Sequence, residues 1–223
     1  MSEFADYFIK RYGSPELTVA LRPDELDQAE RVLPQQLIEL YRRFGRCVMR
    51  GGRIQLCLPD DLGPVLDQTF DGDETFSSSN THAFAYTAFG CIYFFHESLG
   101  LGSVDLLTGH VEVEDLTSPP PPGTPIDTAV HIPLVLSDES LDFLDLDGNP
   151  LFERATKALG TLQIGECYGF FPALGLCGIA HIDYVRRTPA RAHMSLICQM
   201  TEFAIFGTTE TYSLFLHRKV GPQ

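Results

Sequence analysis

Between residues 83 and 115 the chain has room for only one kind of sheet. AFAYTAF (83–89) and CIYFFHE (91–97) are aromatic runs separated by Gly90, and SVDLL (103–107) and HVEVED (110–115) flank Thr108-Gly109. Aromatic and β-branched residues bounded by glycine read as strands. The links are far too short for the crossover that a parallel pair requires, so the four strands predict an antiparallel meander. Val111 and Val113 alternate with Glu112 and Glu114, which marks a hairpin with one buried and one wet face.

Helical periodicity brackets this block. Phe4, Tyr7, Phe8 and Tyr12 recur on one helical face that stops at Gly13, a second helix is expected from Pro23 to Leu33, and Pro34 starts a third. Leu37, Leu40, Tyr41 and Phe44 line one side of the third helix, with Arg42 and Arg43 in its last turn and Gly45 as its stop. Pro59 to Phe70 begins like a helix but contains Gly63 and Pro64. Beyond the meander, TSPPPPGTP (117–125) reads as a stiff loop or linker, with a docking motif for a proline-binding module as the weaker alternative. Ser137 is a plausible cap for a helix over 138–145. Asn149 and Pro150 read as cap and first residue of another helix carrying Leu151, Ala155 and Leu159. ECYGFFPALGLCG (166–178) has the character of buried strand and turn, Thr188-Pro189 starts a last helix, and 202–206 and 212–216 are possible final strands. The expected class is α+β: N-terminal helices with an antiparallel sheet of about four strands, followed by a mainly helical C-terminal half.

Charge is the most uneven property of the chain. The net charge is −14, from 16 Lys and Arg against 30 Asp and Glu, yet no Lys or Arg occurs from Ile54 to Glu153, where 18 carboxylates fall. A near-neutral frame therefore surrounds a strongly anionic middle. Such a surface repels phosphates and anionic lipids, which excludes a general nucleic-acid binder or membrane-surface protein. It serves solubility, or it captures a basic partner.

Motifs for catalysis are missing. The seven histidines show no HExxH spacing, and no GxSxG, GxGxxG or phosphate-binding loop is present. DLDGN (145–149) resembles a calcium loop, but placing Gly148 at the sixth position puts Phe143 at the first and Arg154 at the twelfth, and neither is an anionic ligand. Six cysteines are scattered without a CxxC pair, which reads as reduced thiols of a cytoplasmic protein; a disulfide framework is the weaker reading. The N-terminal residues lack the pattern of a secretory signal, and no apolar run reaches membrane-spanning length. The expectation is a non-enzymatic protein without cofactor or metal.

Two stretches carry a family resemblance. LPQQLIELYRRFG (33–45) resembles the second-helix signature of GAD-like domains, a proline-started helix ending in glycine. GNPLFERATKALGTLQIGECYGFFPALGLCG (148–178) resembles the C-terminal domain found after them. Gly148, Asn149, Leu151 and Phe152 match its first helix, Leu159 and Gly160 its LG step, and Tyr168, Gly169, Phe170, Pro172, Ala173, Leu174 and Leu176 its YGF-PAL-L segment; Cys177 departs from the pattern. The resemblance reaches about residue 200. It implies domains at 1–116 (GAD-like) and 126–223 (immunity-type), joined by 117–125 or packed as one unit. It further implies a bacterial immunity protein of the class paired with type VI secretion DNase effectors, which blocks a cognate toxin stoichiometrically. A basic nuclease and an anionic inhibitor are electrostatic complements. The acids expected to contribute are Asp71, Asp73 and Glu74 in one loop and Asp138, Glu139, Asp142, Asp145 and Asp147 in another region. Plugging of the toxin's active site and binding beside it both remain open. The rival readings are a regulatory or scaffold module that binds a basic cellular protein, and a hydrolase using a carboxylate pair. Within the matching motif, Leu151, Phe152, Phe170 and Leu174 read as core.

Overall fold

The computed structural model describes residues 3–113, 116, 129–208 and 214–221. Three helices, α1 (Glu3–Tyr12), α2 (Pro23–Val32) and α3 (Gln35–Phe44), surround a short strand β1 (Leu17–Val19). Strands β2 (Arg46–Met49) and β3 (Ile54–Leu56) follow, then helix α4 (Pro59–Thr69). The meander is β4 (Thr81–Thr87), β5 (Cys91–His96), β6 (Gly100–Asp105) and β7 (His110–Val113). The later part of the chain holds α5 (Ile132–Val135), α6 (Phe152–Leu159), β8 (Glu166–Phe170), β9 (Val185–Pro189), α7 (Ala190–Cys198), β10 (Ala204–Thr208) and β11 (Leu214–Lys219).

The meander forms as the alternation requires, with Val111 and Val113 buried and Glu112 exposed, but the sheet around it is far larger than four strands. Nine strands run in the order β1-β2-β3-β4-β5-β6-β7-β10-β11, and β8 and β9 form a separate antiparallel pair. The sheet is also mixed, because β10 runs parallel to β7. The expectation of a mainly helical C-terminal half is thus overturned: four strands lie there, and two of them complete the N-terminal sheet. In the later half 138–145 forms turns and Thr188-Pro189 ends β9 rather than starting a helix, because ladder pairing with β8 holds it extended. For the additional N-terminal strands the physical reason is length. β1 and β3 have three residues each and β2 has four, too few for a periodic signal, and they are held by ladders to neighbours rather than by propensity.

Helices cover both faces. On one side α1, α2 and α3 pack on Ile54, Leu56, Phe84, Tyr93 and Phe95. On the other, α4 and α7 pack on Ile92, Phe94, Val104, Val111 and Ile205. All of β4 is consequently buried. Helix α3 realises the periodicity of 33–45, with Leu37, Ile38, Leu40, Tyr41 and Phe44 buried. Gly45, at φ +64°, ends it where the Val19 carbonyl lies against the position a Cβ would take. Helix α4 continues through Pro64. The expected helix over 138–145 is replaced by turns: the Ser137 hydroxyl accepts the Ser140 N–H at 3.2 Å, but no helix follows. Helix α6 starts two residues later than expected. Its first N–H groups are taken by Asp142, whose Oδ1 accepts from Leu151 (3.1 Å) and Phe152 (2.8 Å), so Asn149 is not the cap. Residues 117–125 lie outside the described residues.

A third apolar cluster joins the two parts of the chain. Ala88 and Phe89, just past β4, pack with Leu151, Phe152, Ala155, Leu162, Tyr168, Phe170 and Val185, and the Tyr168 N–H donates to the Ala88 carbonyl at 2.8 Å. Leu151, Phe152 and Phe170 are core as expected, whereas Leu174 is only partly buried and Leu176 is exposed. The motif glycine Gly169 has a specific cause: the His193 ring of α7 occupies the space a Cβ would need.

Candidate functional site

The anionic stretch is bracketed by arginines that turn back onto it. Arg53, at its start, pairs with Glu153 at 2.5 Å and approaches Asp138 at 3.7 Å, with its guanidinium 4.2 Å from the centre of the Phe152 ring. Arg50 is almost fully enclosed. It lies 4.4 Å from the Tyr12 ring centre and donates to the Leu136 carbonyl and to Asp138. Arg154, at the far end, pairs with Asp145. Arg50 and Arg53 thus tie Leu136, Asp138 and Glu153 to the turn between β2 and β3, Arg50 also meets Tyr12 of α1, and Arg154 ties Asp145 to α6. Nothing in their local sequence announced that role, although their position at the two ends of the cation-free stretch was a signal.

The second predicted acidic group divides accordingly. Asp145 faces inward: its Oδ1 accepts the N–H groups of Asp147 (3.0 Å) and Asn149 (2.8 Å), and its Oδ2 meets Arg154. The Arg154 hydrogen bond, then that from Asn149, hold its carboxyl down to about 2. This is the structural content of the DLDGN turn, whose carboxylate the protein itself uses. Asp142 accepts backbone N–H groups as described, and Asp138 is neutralised by Arg50 and Arg53. Glu139 and Asp147 are exposed.

The first group divides in the same way. Asp71 and Glu74 are exposed, but the Asp73 side chain is fully enclosed, with Arg218 at 2.5 Å and the N–H groups of Thr75 (2.9 Å) and Gly221 (3.1 Å) bound to it. Burial alone would push the Asp73 carboxyl up; Arg218 and the N–H groups of Gly221, Thr75 and Phe76 outweigh it and hold it at about 2. A carboxyl depressed in the folded state stabilises above its unfolded value near 3.8. That stabilisation is lost as the pH falls from there through about 2. It should amount to roughly 2 kcal/mol. Urea unfolding followed from pH 5 to pH 2 should show this loss, and Asp73→Asn, less stable at pH 5, should show a shallower decline over the same window.

The two groups are not one surface. Asp73 is tied to β11 at one edge of the sheet, and Asp138 to the turn between β2 and β3 near the other.

The face of β5, β6 and β7 and the segment 132–143 line a groove of about 640 Å³ with Tyr93, Leu101, Ser103, Asp105 and Glu112 among its lining residues. Asp105 and Glu112 were not among the predicted acids. Their signal was the outward phase of the hairpin, where a wet face was already expected.

All six cysteines are unpaired, and burial pushes Cys47 and Cys167 up to about 12 and Cys198 to about 11, so these thiols stay protonated and poorly nucleophilic at neutral pH. Among the described residues no three His, Cys, Asp or Glu side chains are grouped to hold a metal ion, and no helix is long and apolar enough to cross a membrane.

No curated protein matches the chain. The fold matches the crystal structure of Atu4351 from Agrobacterium tumefaciens with a TM-score of 0.88, over 100% of this chain and 99% of that one, at 24% identity. The family model described as GAD-like domain matches residues 3–107, and that described as T6SS immunity protein Tdi1, C-terminal, matches residues 133–201. The chain therefore carries, in this order, a region similar to the GAD-like domain and a region similar to the C-terminal domain of the T6SS immunity protein Tdi1.

Proposed function

We propose that this protein binds and neutralises a cognate type VI secretion toxin, a basic nuclease, by stoichiometric occlusion and without turnover of its own. The observation that carries the reading is the match of residues 133–201 to the immunity-protein domain. The charge distribution supports it: 18 carboxylates without a single Lys or Arg from Ile54 to Glu153 complement a protein whose own substrate is a polyanion. Internal partners take up Asp73, Asp138 and Asp145, so the external field comes from acids such as Asp71, Glu74, Glu139 and Asp147, all exposed. Unpaired, mostly buried cysteines fit a cytoplasmic site of action.

The test is protection. The effector encoded beside this gene is expressed in a bacterial host with and without this chain, and the two are then co-purified. Immunity predicts survival only with the chain present and a stable complex of fixed stoichiometry. Toxicity that the chain does not relieve, with no complex formed, would defeat the reading and favour a module for some other basic protein.

A further inference from the structure

We propose that the groove over β5, β6 and β7 is the docking site for a cationic side chain on an apolar stem, presented by the toxin. This inference rests on the proposed function and specifies where on the molecule it is carried out.

The groove lies wholly within the anionic stretch. Every residue that lines it falls between Thr87 and Phe143, entirely inside the stretch that lacks Lys and Arg. Sheet register explains its geometry. Tyr93 pairs across to Ser103, and Ser103 to Glu112, so these three form one row on one face. Cys91, Asp105 and His110 form the next row. The small Ser103 thus lies between taller neighbours, with Tyr93 and Leu101 as apolar floor and Asp105 and Glu112 as diagonal neighbours, which such a register sets about 7–8 Å apart along the backbone. Phe143 and Leu141 contribute apolar wall.

The carboxylates here are not spent on an internal cation, as three others of the anionic stretch are. Asp73, Asp138 and Asp145 each have an arginine. Asp105 accepts only backbone N–H groups, from Leu107 at 2.9 Å and Thr108 at 3.4 Å. Among the described residues Asp105 and Glu112 have no cationic partner. Their uncompensated field is felt inside the groove: burial first and then Asp105 push the Cys91 thiol up, and burial first, then Cys91, then Glu112 and Asp105 push the Tyr93 phenol up. A lysine or arginine entering over Ser103 would lay its methylene stem on Tyr93 and Leu101 and set its charge between the two carboxylates. That combines apolar contact with a partly desolvated ion pair, the combination typical of interface anchors.

Affinity for the effector encoded beside this gene, inactivated at its active site, decides the matter. Asp105→Asn with Glu112→Gln removes both charges while keeping the Asp105 acceptor oxygen; Ser103→Trp fills the groove without changing charge. Thermal unfolding of both variants should match the parent. Each should weaken binding at least about tenfold, and Leu146→Asp, at an exposed leucine (74%) outside the groove lining, should leave it within about twofold. If both groove variants bind like the parent, the groove is not the site, although the immunity reading stands. Weakening by the charge variant alone would mean a long-range field rather than an occupied groove, and would also overturn the proposal. A parent protein that neither binds nor protects would remove the immunity reading, and this inference with it.

Discussion

Truncating Phe152 or Phe170 to alanine should lower the free energy of unfolding by about 3–5 kcal/mol and abolish protection through loss of fold rather than loss of contact. Both rings are about 1% exposed. Phe170 packs on Phe89 with ring centres 6.3 Å apart and on Phe143 at 5.4 Å. Phe152 meets Tyr168 edge-on at 6.0 Å and carries the Arg53 guanidinium over its face. Deleting either ring therefore opens a cavity in the cluster that joins the meander to the later half of the chain. At Phe152 it also strips the cation of its aromatic partner, a contact worth about 0.5–2 kcal/mol by itself. Denaturant unfolding decides the matter. A variant of unchanged stability that no longer binds the toxin would show that these rings face the partner.

Association with the toxin should slow by about one to two orders of magnitude between 20 mM and 500 mM salt, while dissociation changes much less. The screening length contracts from some 20 Å to about 4 Å over that range, so steering by carboxylates that do not touch the partner is switched off. Neutralising Asp71 and Glu74 by Asp→Asn and Glu→Gln, or Glu139 and Asp147 in the same way, should lower the low-salt association rate. Neither pair should unfold the protein, since these four side chains are exposed. Asp73→Asn and Asp145→Asn are the contrasting cases, because their charges are spent on Arg218 and Arg154 and their loss should appear in stability first. Stopped-flow association across the salt series is the measurement. A rate indifferent to salt and to both neutralised pairs would point to an interface driven by apolar burial.

The chain's local grammar and its tertiary structure decided different things. Periodicity was enough to read α1 and α3, proline marked the starts of α2 and, two residues early, α7, and the alternation of Val111 and Val113 with Glu112 was enough for the hairpin, because these signals come from neighbours within a few residues. The motif at 148–178 was legible as family and as core at Leu151, Phe152 and Phe170, since large apolar residues at such spacings have few places to go but inward. Three kinds of fact required the fold. Strands as short as Leu17–Val19 and Ile54–Leu56 exist only because a ladder partner is in place. The parallel seam between β7 and β10 joins Val111 to Ile205 across most of the second half, a pairing with no local trace. The fate of each carboxylate is the third. Asp73 looked like Asp71 and Glu74 in sequence, yet its charge is cancelled by Arg218, 145 residues away. A side chain's charge is written in the sequence, but whether that charge reaches solvent depends on which cation the fold brings beside it.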